Sequence, residues 1–203
     1  QTIWNDASVD KLWLYKLHYF DFLSDPEVGD KSQWKQIFIQ RWVDENPYGV
    51  GNGWEPYTVA LRLVNWAKYF SSLPVVPSQW ATSYAQQAEF LYNRPEYHLL
   101  GNHLLSDAKG LVFASVVLSG ELAKRCQILG LKLLKEQVEE QFLDDGAHFE
   151  LSPMYHQSAL WDLLELIALC KQLSGQAWTN ELLETLVSKS QLALRWLRQM
   201  THP

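Results

Sequence analysis

Seven segments of this chain set apolar side chains three and four residues apart, and almost none alternates them residue by residue. That periodicity confines the chain to helix-on-helix packing, because a helix with one apolar stripe hides it only against a neighbour. The spacing predicts helices over 32–43, 55–70, 78–93, 104–119, 121–142, 154–173 and 180–200. Breakers fall between them: Asn46-Pro47-Tyr48-Gly49, then Ser71, Ser72 and Pro74, then Pro95. Residues 1–24 mix aromatic and polar positions and are expected to form an extended or irregular lead-in, and Gly49–Gly53 a flexible loop. Segment 104–119 is apolar nearly all round, as in a helix buried on most sides. The expectation is an all-α fold of antiparallel helical hairpins laid side by side. No fixed-period repeat marks a regular solenoid.

With 203 residues, 47% of them hydrophobic, the chain can bury the core of one domain or part of one. A net charge of -6 with no basic run leaves no phosphate-binding footprint, so a nucleic-acid partner is not expected. No apolar run approaches the roughly 20 residues of a membrane span. Cys126 and Cys170 are too far apart for a metal knuckle or a redox pair, and each reads as a small buried apolar side chain. The ten Trp, nine Tyr and eight Phe exceed what a core of this size needs, and aromatic rings also stack on sugars, although packing is the better reading of any one Trp.

Chemistry-bearing residues gather at helix starts. Asp144 to His156 packs two His, three carboxylates and one Tyr between helical segments, with Gly146 for a turn and Ser152-Pro153 as N-cap and first helical position. Tyr155 then falls in the first turn, where helix N–H groups favour an anion and a phenolate. Two more junctions resemble it in composition: Glu55 with Arg62 and Asn65, and His98 with Asn102 and His103. In antiparallel hairpins, junctions two helices apart lie on the same rim, so Asn102 and Tyr155 can face one cleft.

Several chemistries can be weighed on these residues. A metal site is disfavoured, because no His-Glu-x-x-His occurs and His residues five apart do not project together. A glycosidase acid pair would draw on Glu55, Asp145 and Glu150, whose separations the sequence does not fix. Ser152 is accounted for as a cap. Proton abstraction beside a carboxylate uses Asn, His and Tyr together: Asn102 and His103 as donors to the carboxylate, Tyr155 as acid or base. Singly, Asn102 reads equally well as a cap, Tyr155 as packing and His148 as a core histidine.

The motifs Gly53-Trp54-Glu55-Pro56-Tyr57, Gly101-Asn102-His103-Leu104-Leu105, Asp145-Gly146-Ala147-His148-Phe149-Glu150 and Ser152-Pro153-Met154-Tyr155-His156 resemble the heparinase II/III-like polysaccharide lyases, in their N-terminal helical domain. The resemblance runs from Leu17-His18-Tyr19-Phe20 onward. It implies an incomplete (α/α) toroid followed by a β-sandwich, an anionic uronic-acid polysaccharide as partner and β-elimination as the reaction. It assigns Asn102 and His103 to the carboxylate and Tyr155 to acid–base exchange. Trp54, Glu55, Arg62, His98, His148, Glu150 and His156 are then expected to bind substrate or support the site, Arg62 by pairing with polymer carboxylates. No cofactor is expected in this chain. A metal and a second catalytic side chain would lie in a β-rich part beyond Pro203. Residues 1–203 are therefore expected to be one toroid domain of a longer, periplasmic or extracellular protein, inactive alone. The start at Gln1 and the end at Thr201-His202-Pro203 read as cuts. A non-catalytic saccharide-binding or assembly module is the alternative, and a toroid glycoside hydrolase a third.

Overall fold

The computed structural model describes residues 3–25, 32–99 and 101–200, and the supposed cuts at Gln1 and at 201–203 lie outside them. Eight α-helices are present among the described residues: α1 Lys11–Tyr19, α2 Ser32–Glu45, α3 Pro56–Phe70, α4 Ser78–Asn93, α5 His103–Val117, α6 Gly120–Gln141, α7 Pro153–Gln172 and α8 Ala177–Met200. No strand occurs among them, only one isolated antiparallel bridge between Phe142 and His148. No helix of the described residues is long and apolar enough to cross a membrane.

The helices form two layers. Odd-numbered helices contact one another in the series α1, α3, α5, α7, even-numbered ones in the series α2, α4, α6, α8, and the pairs α3–α4, α5–α6 and α7–α8 join the layers. Alternation of direction then puts the N-termini of α3, α5 and α7 on one rim. Helices α3 and α5 approach closely at Gly110, where a Cβ would sit 2.9 Å from Ala60 Cα, so a side chain there would force them apart. α5 is buried along most of its length as its composition predicts, but it also buries Ser106, Asp107 and Lys109.

The lead-in differs from expectation. Residues 11–19 are helical because the Asp10 carboxylate accepts from the N–H groups of Leu12 (2.9 Å) and Trp13 (3.2 Å), and Phe20, in a left-handed conformation at φ 63°, ends the helix. The Gly49–Gly53 segment is not loose either. It closes in a short 3-10 turn at Asn52–Trp54, and Asn52 N–H donates to Asn5 Oδ1 at 2.8 Å.

The aromatic excess is spent largely inside. Trp4, Phe20, Trp42, Trp54 and Trp66 are buried and pack on one another, and Arg62, 0% exposed, lies against Trp42. The guanidinium lies 3.9 Å from the Trp42 ring centroid and donates to Gln87 Oε1 (2.7 Å), Gly53 O (2.8 Å) and His18 O (3.3 Å). Every one of these acceptors is internal. Arg62 is therefore a core cation and is turned away from any polymer, contrary to expectation. Trp54, also expected at substrate, is enclosed by Trp42, Tyr48 and Phe90. Cys126 and Cys170 are free and buried.

Candidate active site

The rim at the N-termini of α3, α5 and α7 carries an open cleft of about 380 Å³ lined by Tyr57, Leu61, Asn102, Gln157, Ser158, Trp161 and Asp162. Asn102 occupies the N-cap position of α5, yet its side chain makes no capping bond. Its Nδ2 instead points to the Tyr57 hydroxyl at 3.4 Å. The amide is thus available to the cleft, which a simple capping role would not allow. Tyr57 itself is pushed up to about 12, first by burial and then by the Asp162 carboxylate, so it stays a phenol at neutral pH.

His103 follows at the first position of α5, its ring 4.4 Å from that of Tyr57. Its Nδ1 is 2.8 Å from Glu96 Oε2, and that hydrogen bond outweighs the opposing burial to hold the imidazole above its ordinary value. An imidazole whose protonated form is favoured, next to the Asn102 amide, suits an incoming carboxylate. Glu96 and Tyr57 were not among the residues singled out from sequence. Glu96 gave little signal, because it meets His103 across a turn, whereas Tyr57 lies inside the Trp-Glu-Pro-Tyr motif.

The 142–152 turn lies beside the Asn102 junction. Gln141 Nε2 donates to Gly101 O at 3.0 Å, and its Oε1 meets His148 Nε2 at 3.1 Å, which ties this turn to the Asn102 junction. Glu150 is exposed and lies against Gly101: a Cβ added there, at φ +95°, would come within 2.7 Å of Glu150 Oε1. His148 and His156 are enclosed. His148 N–H donates to His156 Nδ1 at 3.2 Å, and His156 Nε2 is 3.0 Å from Ala193 O, so the pair fastens the turn to α8. Burial holds both below the ordinary value, His148 at about 4 with His156 as a second cause. Both rings lie enclosed between this turn and α8 and are not turned to a substrate.

Tyr155 stands in the first turn of α7 and is 39% exposed. Ser152 occupies the N-cap position with Pro153 next, but its hydroxyl makes no capping bond. Trp161, two turns further along α7, is 62% exposed in the cleft itself. Below it, buried Lys109 lies 2.7 Å from Asp162 and in contact with Glu165, which also binds Lys68 at 2.6 Å. The expected Glu55, Arg62 and Asn65 cluster does not form. Glu55 accepts from Tyr15 and pairs with Lys11 at 3.5 Å, while Asn65 donates to Tyr19 O and Asp21. His98 is exposed in the turn before α5. Asp145 accepts from Ala147 N–H within its own turn. Among the described residues no three His, Cys, Asp or Glu side chains gather as metal ligands.

Residues 20–203 match the sequence model of the family described as Heparinase II/III N-terminus. The chain is similar to heparin-sulfate lyases of Pedobacter heparinus, 29% identical over 66% of this chain, and of Bacteroides thetaiotaomicron, 28% identical over 70%. Each match spans 22% of the relative, so the chain corresponds to about a fifth of these curated relatives. Among solved structures it superposes on heparinase III with a TM-score of 0.75 at 22% identity, covering all of this chain and 33% of that one. It superposes on a heparan sulfate lyase of Pedobacter heparinus with a TM-score of 0.69 at 24% identity, covering 98% of this chain and 34% of that one. These likenesses establish the fold, a helical toroid arc.

Proposed function

The chain belongs to the heparinase II/III N-terminal family, and from that premise we propose that its rim binds a uronic-acid polysaccharide of the heparan sulfate class for β-elimination. In this reading it is the toroid of a longer lyase, followed by a β-sandwich domain that closes the cleft, and it is inactive or weakly active alone. The supporting observation is the Asn102 amide, free of capping duty, beside a His103 whose Nδ1 lies 2.8 Å from the Glu96 carboxylate, which favours its protonated form.

Elimination removes the C5 proton of a uronate, which adds charge to a group that is already anionic. Asn102 and His103 neutralise that carboxylate, and the acidity of C5 rises accordingly. A base takes the proton, the C4–O bond breaks, a C4=C5 double bond forms and the departing oxygen is protonated. Tyr155 is assigned acid–base exchange in these steps. Trp161 offers its exposed face to a neighbouring sugar ring.

The test follows the absorbance of the unsaturated uronate while the full-length protein, and separately this chain, is offered heparan sulfate, chondroitin, hyaluronan and alginate. The reading expects a rise for the full-length protein on one uronate polymer, and a loss of at least about 100-fold on Tyr155→Phe. Saturated products, or an unchanged rate in Tyr155→Phe, would overturn it. Glycan binding without product by the full-length protein would make the chain a binding module.

A further inference from the structure

We infer that Asp107 is a positioning residue for His103: its carboxylate anchors the Glu96 main chain, and Glu96 in turn holds the imidazole. This rests on reading Asn102 and His103 as the carboxylate-binding pair. Asp107 is 0% exposed on α5, one turn beyond His103. Its Oδ2 accepts from the Glu96 N–H at 2.8 Å, and its Oδ1 is enclosed without a hydrogen-bond partner. A buried carboxyl half-satisfied in this way costs stability, which an apolar side chain of the same size would avoid. Its position explains the cost. Glu96 follows Pro95 in the connection between α4 and α5, where no helix fixes the backbone, and among the described residues the local turn adds Tyr97 N–H to Pro95 O and Leu99 N–H to Glu96 O. The Asp107 bond ties that connection to the buried face of α5. Glu96 Oε2 is then held 2.8 Å from His103 Nδ1, which leaves Nε2 as the ring nitrogen not engaged by Glu96.

The charged and titratable groups around this unit are Glu96 and Tyr97 on the connection, Asp107 on α5, Glu150 on the 142–152 turn and Tyr57 on α3. Burial, with the Glu96 charge adding and the Glu96 N–H opposing, lifts the Asp107 carboxyl to about 7. The anchoring bond is therefore made by either protonation state, since a carboxylic acid keeps an acceptor oxygen.

The experiment is histidine and backbone NMR on this chain, which needs no catalysis. Asp107→Leu removes the acceptor at similar volume, and Asp107→Asn keeps one. We expect the His103 titration midpoint to fall by roughly one pH unit in Asp107→Leu and to stay closer to the parent's in Asp107→Asn. A parent-like midpoint in folded Asp107→Leu would overturn the inference. So would an equal fall in both variants, because charge and not anchoring would then be the cause. In the unmodified protein the Glu96 amide proton should follow the titration of the Asp107 carboxyl, and no response there would overturn the inference even if neither variant folds. A chain with no part in elimination still gives these titrations, so the two readings fail separately.

Discussion

Arg62 and His103 stand in clusters that look alike in sequence, each a basic side chain with Asn and Glu close by, and the fold gives them opposite fates. Arg62 is enclosed against the Trp42 ring and bonds neutral acceptors, with no ion pair to a carboxylate among the described residues. His103 keeps 35% of its side chain exposed and has a carboxylate behind it. The difference lies in helix position. Arg62 is in the second turn of α3 and faces the α1 and α4 layers, while His103 opens α5 at the rim. A cation deep in a helix pair is spent on packing. A cation at a helix start, backed by a buried acid, remains available to a ligand.

The largest test of this contrast is Arg62→Ala. It leaves three buried acceptors and a cavity beside Trp42, and should destabilise the chain by about 4 kcal/mol in urea denaturation. Normal stability with lost glycan affinity would reverse the assignment. Asn102→Ala should do the opposite, changing stability by less than about 1 kcal/mol because no cap bond is lost, while lowering the elimination rate roughly 100-fold or more.

The histidines separate the two environments by pH. His18 and His148 are held at about 4, each chiefly by burial, so their neutral forms stabilise the fold fully above about 6.5 and this is lost as pH falls toward 4. His103 is raised, so its contribution is full below about 6.5 and is lost as pH rises through its folded value. Glu96→Gln should remove the alkaline loss and leave the acid loss intact, as read from urea midpoints across pH. The smallest expected effect is from Trp161→Ala, about 1 kcal/mol in glycan affinity and within about 0.5 kcal/mol in stability.

Seven of the helices were readable because apolar spacing survives whatever lies next to it. α1 was not, since its aromatic-rich face, with Leu14, His18 and Tyr19 inward, does not look amphipathic until Asp10 is seen as its cap. Asn102 and Tyr155 were readable as residue types at helix starts. Arg62 was misread because its partners Gln87, Gly53 and His18 come from three separate segments. Lys109 was missed for the same reason, its carboxylates arriving from α7. Asp107 carries a local signal, a carboxylate four residues after a histidine on the same helix.

The central claim is that the rim recognises a uronate carboxylate, and the most direct measurement compares the affinity of this chain for heparan sulfate with its affinity for the same polymer after its carboxyl groups are reduced to alcohols. The account predicts that reduction weakens binding about as much as Asn102→Ala does, and that the two losses do not add. Equal affinity for both polymers, with Asn102→Ala indifferent, would contradict it.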